Sequence, residues 1–278
     1  MSLRHSIATP EGKRRYVRAL FATIADRYDF ITVALSYGQD QRWKRRLIAL
    51  AAPPPGARAL DLATGTGDIA FALAAKGARV VGLDITLRMI ELAKRKAAAA
   101  PPFHPSTSSG CHERVEGQGR GGDPAASPEL GESSDERGRE RVALHLLVGD
   151  MLALPFASAS FDIVTTGYGL RNVPNLSIAI DEIGRVLTPG GQVLSLDFNR
   201  PANRVIRSVY LAYLTIVGAA LGWILHRDPD TYRYIPASIR QYPGAEAVAR
   251  LFEARGFTRV RSYPVLGGLM TIHHAIRT

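Results

Sequence analysis

Short apolar runs alternate with amphipathic segments along most of this chain. The runs are rich in Val, Ile and Leu and have the length of buried strands; they cover residues 58–64, 79–85, 142–150, 161–169 and 191–198. Between them, apolar residues recur at helical spacing after Asp68, over 86–99 and near 175–187. Apolar strands separated by helices are typical of βαβ units, so the pattern predicts a parallel sheet with helices on both faces.

The end of the chain predicts a different arrangement. A helical segment at 246–255 is followed by two apolar runs, FTRVRSY and MTIHHAI, joined by a short link. Strands joined so closely predict an antiparallel hairpin at one sheet edge. Earlier, TPGG (188–191) predicts the end of a helix and a turn. His273 and His274 are adjacent and therefore point to opposite faces of a strand, which predicts structural roles and no metal pair.

Residues 101–141 interrupt the pattern without ending it. Pro, Gly, Ser and charged residues dominate this segment, and large apolar residues are almost absent, so we expect a disordered insertion. It carries five Lys/Arg and eight Asp/Glu, which leaves +13 on the rest of a chain whose formal charge is +10. Such a balance predicts an anionic partner, nucleic acid or an acidic membrane surface; a solvated basic surface with no partner is an equal alternative.

Composition narrows the chemistry and the compartment. The hydrophobic content of 46% is ordinary for a globular protein with a core. Cys111 is the single cysteine, which excludes a disulfide framework and a cysteine metal cluster. The first residues contain no apolar stretch of signal-peptide length, so we expect a cytoplasmic protein. We expect no metal.

The first apolar run ends in a glycine loop, ALDLATGTGD, with a carboxylate on each side. Gly65 and Gly67 satisfy a loose dinucleotide fingerprint, but a pyrophosphate needs a helix N-terminus free of negative charge, and Asp61 and Asp68 would repel it. S-adenosylmethionine carries a sulfonium and an ammonium instead of phosphate, and nearby carboxylates suit both. Asp84, at the end of the second run, would then accept the two ribose hydroxyls. For Asp68 alone a helix N-cap is a good interpretation, but an N-cap does not explain Asp61.

Four motifs, one of them in this loop, together point to one protein family. They are IADRYDFITVALSYGQDQRWK (24–44), DLATGTGD (61–68), GLRNVPNLSIAIDEIGRVLTPGG (169–191) and TYRYIPASIRQYP (231–243). With them the chain resembles the UbiE/MenG quinone C-methyltransferases, which methylate demethylmenaquinol and polyprenyl-methoxybenzoquinol. The resemblance runs from about Tyr16 to the end of the sequence, outside 101–141. Thr32 stands where the family usually has Asn, and Asp40 where a His is common, so the substrate side departs from the family pattern.

The resemblance implies the fold of class I S-adenosylmethionine-dependent methyltransferases: a Rossmann-like α/β fold with a seven-stranded, mostly parallel sheet, helices on both faces and a helical cap. We expect an N-terminal helical cap at 1–50 and a methyltransferase domain at 51–278, with a second helical cap at about 201–243. The implied cofactor contacts are Thr66, Asp84, Asp150, Met151 and Gly167. They follow successive strands, and ligands of open sheets bind at the carboxyl ends of strands.

The resemblance also implies a quinol substrate, whose ring carbon must become nucleophilic. A phenol has a pKa of about 10, so about one molecule in a thousand is ionised at pH 7, and the protein must stabilise the phenolate or remove its proton. We expect Arg171 to supply a fixed positive charge and Asn172 to orient the hydroxyl or a water. A salt-bridged surface role is the alternative for Arg171. Tyr28, Asp29 and Tyr234 are further substrate-side candidates, each with an equal structural alternative.

Residues 208–225 contain no charged side chain, and Arg204, Arg207, His226 and Arg227 flank them. Their length just reaches that of a membrane-spanning helix, but spanning would separate the later strands from the earlier strands of one sheet. We expect instead a helical cap that admits an isoprenoid tail and touches anionic headgroups, as a peripheral protein at the inner face of the membrane.

The sequence therefore predicts S-adenosylmethionine-dependent C-methylation of a polyprenylated quinol, demethylmenaquinol first, with 2-polyprenyl-6-methoxybenzoquinol as the alternative. A nucleic-acid methyltransferase and a non-catalytic subunit are further alternatives. The sequence contains no basic–aromatic strip and no RNA-binding module that would support a nucleic-acid methyltransferase, so we expect no nucleic-acid partner. The cofactor residues Asp61, Gly65, Gly67 and Asp84 are intact, which argues against a non-catalytic subunit. The oligomeric state, a homo-oligomer included, is left open.

Overall fold

A seven-stranded sheet organises the protein, whose structure is a computed structural model that describes residues 7–36, 38–99, 144–201 and 203–278. The predicted insertion at 101–141 lies outside these residues. The strands are β1 (Arg58–Leu62), β2 (Arg79–Asp84), β3 (Leu144–Val148), β4 (Phe161–Gly167), β5 (Leu187–Phe198), β6 (Phe257–Val265) and β7 (Met270–Arg277).

The sheet has the order β3-β2-β1-β4-β5-β7-β6. The first five strands pair in parallel, whereas β7 runs antiparallel to both β5 and β6. The predicted parallel sheet and the predicted antiparallel hairpin at its edge are thus both found. The order of the strands reverses between β1 and β4, and the carboxyl ends of the parallel strands all meet at one edge, where ligands of such sheets bind.

The turn predicted at 188–191 is wrong. These residues belong to β5, which follows the preceding helix without a loop and shifts its register against β4 here. Phe161 of β4 pairs with Leu187 of β5, but Ile163 pairs with Gln192. An advance of two residues along β4 therefore corresponds to an advance of five residues along β5. Gly190 has a φ of 78° and lets the backbone make this excursion. TPGG has the residues of a turn, but β5 pairs with β4 both before and after it. The four residues therefore lie within the strand and not in front of it.

The described residues contain nine α-helices. They are α1 (Pro10–Ile24), α2 (Tyr28–Leu35), α3 (Asp40–Ala51), α4 (Asp68–Ala74), α5 (Leu87–Ala99), α6 (Leu176–Val186), α7 (Arg204–His226), α8 (Tyr234–Gln241) and α9 (Ala245–Ala254). Helices α3 and α4 pack on one face of the sheet, α6 and α9 pack on the other, and α5 packs against β2 and β3. The predicted helices on both faces are therefore present.

Helix α3 lies inside the range 1–50 predicted for the N-terminal cap, and it packs on the sheet. Trp43, Leu47, Ile48 and Ala51 form one buried stripe on α3 and pack with strand residues in the core beneath the sheet. Helix α3 therefore belongs to the helical layer of the methyltransferase domain. Among the described residues before α3, helices α1 and α2 lie over the carboxyl ends of the strands.

Helices α7 and α8 complete the cap, within the predicted range of about 201–243. Small apolar clusters join α1 and α2 to the later part of the cap: Tyr234 packs with Val17, and Tyr232 packs with Ile24 and Ile31. Within the described residues, α7 is the one helix long and apolar enough to cross a membrane by length and composition, with a mean hydropathy of 1.8. Strand β5 precedes α7 and its partner β7 follows it, so the two ends of α7 return to the same sheet.

Candidate active site

A cleft of about 700 Å³ opens at the carboxyl ends of the parallel strands and is called the cofactor cleft here. Its floor comes from the segments that follow β1, β2, β3 and β4, and its roof comes from Arg14, Val17 and Phe21 of α1 together with Tyr28. The predicted site residues that line it are Gly65, Asp84, Asp150, Met151, Gly167, Asn172 and Tyr28. The fold thus brings most of the predicted cofactor residues into one cavity.

The glycine loop needs its glycines for conformation and space. Gly65 and Gly67 have φ values of 56° and 93°, a region that favours glycine. A Cβ on Gly67 would lie 2.8 Å from the ring of Phe71. Gly65 lines the cleft, whereas Gly67 and Thr66 do not; the Thr66 hydroxyl instead donates to Asp29 Oδ1 at 2.6 Å. A cofactor contact by Thr66 would therefore use its backbone.

Asp84 lies at the end of β2, where a ribose acceptor is expected. Its Oδ2 accepts from the Gly65 amide at 2.9 Å and its Oδ1 from the Thr86 amide at 2.8 Å. Burial raises the pKa of Asp84, while these two amides oppose that shift. Each carboxylate oxygen keeps a further lone pair, so the side chain is oriented toward the cleft with capacity for two hydroxyl donors.

Asp61 lies beneath the loop and does not line the cleft. Its oxygens accept from Thr64 Oγ1 at 2.6 Å and Thr165 Oγ1 at 2.8 Å, and the residue is almost fully buried. Burial raises its pKa to about 6. In this geometry Asp61 holds the loop from below, and its contact with the ammonium of the cofactor stays a prediction.

The argument that Asp68 repels phosphate is also wrong as stated. Lys44 Nζ lies 2.8 Å from its Oδ2, and Lys96 Nζ lies 3.3 Å from its Oδ1. Burial alone would raise the pKa of Asp68, but the two lysines outweigh it and hold that pKa below its ordinary value. The carboxylate is neutralised by long-range partners, which the local sequence did not reveal.

Asp150 and Met151 follow β3, as predicted. Asp150 Oδ1 accepts from the Leu152 amide at 2.9 Å, and its Oδ2 pairs with Arg14 of α1 at 2.7 Å. Gly167 ends β4, and a Cβ there would lie 2.7 Å from Ile69. The Arg14 contact, which sequence reasoning missed, ties the roof of the cleft to its floor.

Arg171 is salt-bridged, as the alternative for it supposed, but it is buried. Its Nε lies 3.0 Å from Asp197 Oδ1, its Nη1 donates to Ser238 Oγ at 3.1 Å, and its guanidinium lies over the ring of Phe198 at 4.7 Å from the centroid. Asn172 follows in the same 3₁₀ turn, Leu170–Asn172, and its Nδ2 donates to the Tyr168 carbonyl at 2.7 Å.

A second cavity of about 850 Å³ lies beneath the cap and is called the apolar cavity here. Residues of α1, α2, α7 and α8 line most of it, with Arg171 as its charged member. Tyr234 also lines it, and the Tyr234 hydroxyl is buried without a hydrogen-bond partner among the described residues. An unpartnered buried hydroxyl beside a guanidinium is a site for a ligand oxygen, because leaving it unpaired costs free energy.

The remaining substrate-side candidates, Tyr28 and Asp29, differ in whether they line a cavity. Tyr28 lines both cavities. Asp29 lines neither: it pairs with Lys96 at 2.5 Å and accepts from Thr66, which is a structural role. Sequence reasoning missed Lys13, whose Nζ donates to the carbonyls of Arg171 at 3.0 Å and Val173 at 2.7 Å. No local signal distinguishes Lys13 from the other cations of α1.

Within the part of the chain that the structure describes, no group of three or more His, Cys, Asp and Glu side chains is arranged to hold a metal ion. His273 Nε2 lies 3.0 Å from the Ala245 carbonyl oxygen, and His274 Nε2 lies 2.9 Å from Gln192 Oε1. The two histidines therefore have separate structural partners.

The strand order, the glycine loop and the cleft at the carboxyl ends of the strands define an S-adenosylmethionine-dependent methyltransferase of class I. The chain belongs to the ubiE/COQ5 methyltransferase family, which residues 9–102 and 129–277 match. The predicted family, fold and cofactor are thereby confirmed. Residues 103–128, inside the predicted insertion, fall outside the match.

Curated relatives agree with this family. A demethylmenaquinone methyltransferase of Parafrankia sp. is 37% identical over 96% of this chain and 96% of its own length. That of Thermus thermophilus is 36% identical over 91% of this chain and 98% of its own. A ubiquinone/menaquinone biosynthesis C-methyltransferase of Zymomonas mobilis is 31% identical over 98% and 97%.

Solved structures share the fold at low identity. An S-adenosylmethionine-dependent methyltransferase from Thermotoga maritima superposes with a TM-score of 0.56 at 15% identity, over 94% of this chain and all of that one. One from Methanosarcina mazei gives 0.51 at 19% identity, over 83% and 96%.

Proposed function

We propose that this protein transfers the methyl group of S-adenosylmethionine to a ring carbon of demethylmenaquinol. The observation that carries the proposal is the common wall of the two cavities: Phe21, Tyr28 and Tyr168 line both. A cofactor held at the strand ends and an apolar ring held under the cap would meet at this wall. The family and the names of its relatives support the same reaction.

The cofactor cleft has the chemistry that this cofactor needs. When bound, S-adenosylmethionine supplies an electrophilic methyl group on a cationic sulfur. Asp84 offers its oriented carboxylate to the ribose, and Asp150 offers its carboxylate near the position expected for the adenine amino group. Arg14, Val17 and Phe21 of α1 cover the cleft, so this roof would exclude water from the reacting atoms.

Arg171 and Tyr234 would stabilise the quinol oxygen as it becomes anionic. The guanidinium is fixed by Asp197, Ser238 and Phe198, so it requires no reorganisation when charge develops nearby. Burial raises the pKa of Tyr234, which keeps its hydroxyl protonated and able to donate to that oxygen. In the overall transfer the ring carbon would bond to the methyl carbon while the methyl–sulfur bond breaks and its electron pair stays on sulfur; the proton of that ring carbon is then lost, which restores the aromatic ring.

The apolar cavity suits a prenylated substrate. Tyr210, which is buried, and Tyr213, which is half-buried, line it from α7. The opposite side of α7 carries exposed apolar residues at helical spacing: Val205, Val209, Ile216, Trp223 and Ile224 are each 60% exposed or more. We propose that this face rests on the inner surface of the membrane, with Arg204, Arg207 and Arg227 toward anionic headgroups. An isoprenoid tail would then pass from the lipid to the cavity beside one helix.

The polyprenyl-methoxybenzoquinol remains the alternative substrate, because the Zymomonas mobilis relative bears a name that covers both quinones. The test is anaerobic methyl transfer by the purified protein to each reduced quinone. We expect the naphthoquinol to have the higher kcat/KM. Transfer to the benzoquinol alone would support the alternative, and transfer to neither would overturn both substrates. Calorimetry with S-adenosylmethionine checks separately that the protein is competent to bind its cofactor.

A further inference from the structure

Tyr168 forms the sheet side of the wall between the two cavities. Of the three residues that line both, Phe21 and Tyr28 belong to the cap, whereas Tyr168 follows β4 directly. Its φ is 61°, in a strained region that non-glycine residues seldom adopt. The surrounding structure therefore holds this residue in place against its own backbone preference.

Every polar atom of Tyr168 is engaged. Its amide donates to the Leu196 carbonyl at 2.7 Å, and its carbonyl accepts from Asn172 Nδ2 at 2.7 Å. Its hydroxyl donates to Asp40 Oδ1 at 2.5 Å. Its ring lies against Phe198, with 5.7 Å between the centroids, and Phe198 in turn supports the guanidinium of Arg171. The ring is fixed from the backbone to its tip.

Asp40 is itself held by a lysine that also pairs with the residue after the glycine loop. It is 1% exposed, and its Oδ2 lies 2.6 Å from Lys44 Nζ. Lys44 also pairs with Asp68, the residue that follows the loop glycines. Burial and the neighbouring Asp40 raise the pKa of Tyr168 well above its ordinary value, so its hydroxyl stays a donor.

We propose that Asp40 and Tyr168 are a positioning pair, in which Asp40 fixes the Tyr168 ring as the surface that aligns the quinol with the methyl donor. The proposal deepens the proposed function and rests on it. Methyl transfer needs a short, aligned approach of two atoms, and a misplacement of about 1 Å can cost about a hundredfold in rate. Asp40 acts through Tyr168, whereas the Tyr168 ring would touch both ligands.

The test compares Tyr168→Phe, Asp40→Asn and Asp40→Ala with wild type in single-turnover methyl transfer. Tyr168→Phe keeps the ring but loses its tie to Asp40, so we expect a rate lower by about 10- to 100-fold with the KM for quinol and the Kd for S-adenosylmethionine close to wild type. Asp40→Asn keeps an acceptor for the hydroxyl and should lose less than Asp40→Ala. The double variant Tyr168→Phe/Asp40→Ala should be no slower than the slower single variant, because both break one contact.

Tyr263→Phe is the control, since Tyr263 lies on β6, is half-buried and lines neither cavity. It should transfer methyl groups like wild type. Tyr168 variants with an unchanged rate, or rate defects that add in the double variant, would overturn the inference alone. Loss of cofactor affinity and thermal stability in proportion to the rate would overturn it too, because the pair would then hold the fold. A wild-type protein inactive on both quinols would overturn the proposed function itself.

Discussion

Two backbone amides orient the carboxylate of Asp84 toward the cofactor cleft. The residue can be tested by a substitution that keeps the size of its side chain. Asp84→Asn keeps the size and one carbonyl acceptor but loses the charge. We expect affinity for S-adenosylmethionine to fall by about 10- to 100-fold in calorimetry, the usual cost of losing hydrogen bonds to a charged group. Asp162→Asn, at the exposed pair with Arg58, is the control and should bind normally. Unchanged affinity in a folded Asp84→Asn protein would remove the residue from the site.

Arg171 requires a gentle substitution because its partner Asp197 is buried. Alanine would leave that carboxylate uncompensated and cost about 3–5 kcal/mol of stability. Arg171→Lys keeps the charge but loses the planar fork that reaches Ser238 and the stack on Phe198. We expect methyl transfer to slow by about 10- to 100-fold at pH 7, with the Kd for S-adenosylmethionine close to wild type.

The same defect should shrink as the pH rises toward the quinol pKa of about 10, because the solvent then supplies the phenolate that Arg171 favours. Anaerobic single-turnover rates across this range provide the measurement. A defect of constant size at every pH would show that Arg171 positions the substrate without stabilising its charge.

The buried carboxyl group of Asp61 should make the free energy of unfolding depend on pH. Its pKa rises from 3.8 to about 6 on burial in the folded state, so the folded protein binds its proton more tightly than the unfolded chain. The stability that this proton contributes is complete below about pH 4 and is lost as the pH rises through about 6. Relative to Asp61→Asn, the wild-type free energy of unfolding should therefore fall by about 3 kcal/mol between these limits. Urea unfolding of both proteins at several pH values measures it; parallel pH profiles would contradict it.

At the scale of elements, α1 is held over the cofactor cleft by two side chains, Lys13 and Arg14. Lys13 spans from the helix to the carbonyls around Arg171, and burial together with Arg171 lowers its pKa to about 8. Lys13→Met keeps the length but removes the donors, so the roof should open more often and cofactor dissociation should quicken by about 3- to 10-fold, the worth of one or two hydrogen bonds. Arg18→Met, an exposed position of the same helix, should dissociate at the wild-type rate in stopped-flow measurements. Equal rates in both variants would show that the hydrogen bonds of Lys13 do not hold α1 over the cleft.

The sequence predicted those elements whose pattern is local. Buried parallel strands read as apolar runs, so β1, β2 and β4 were placed within a few residues of their observed bounds. The roles of Asp29 and Asp68 were missed because Lys96 and Lys44, which pair with them, are distant in sequence. Tyr168 was missed for a similar reason: neither its positive φ nor its bond to Asp40 has a local signal.

At the scale of the whole molecule, the cap presents one apolar face to its surroundings. The double variant Ile216→Glu/Trp223→Glu places two charges on that face of α7. If the face rests on lipid, binding to vesicles of phosphatidylglycerol and phosphatidylethanolamine should weaken by at least about tenfold in flotation, since each side chain contributes about 1.5–3 kcal/mol when buried. Transfer to a quinol with a short, soluble tail should stay close to wild type.

The matched control for this face is Ile178→Glu, an exposed apolar position on α6. Its vesicle binding should not change. Vesicle binding by the double variant equal to that of the control would show that the apolar face of α7 has another partner, and a concentration-dependent change in mass on dilution would identify that partner as a second copy of this chain.

Strand β7 follows β6 in the sequence but lies between β5 and β6 in the sheet. During synthesis, β1 to β5 can assemble as they leave the ribosome, yet the outer edge of β5 has no partner until residues 270–277 have been made. Strand β6 emerges earlier and must wait for the same segment. A chain stopped before Met270 therefore carries an open apolar edge of the kind that pairs with other chains, so premature termination here should yield aggregates and not a weakened enzyme.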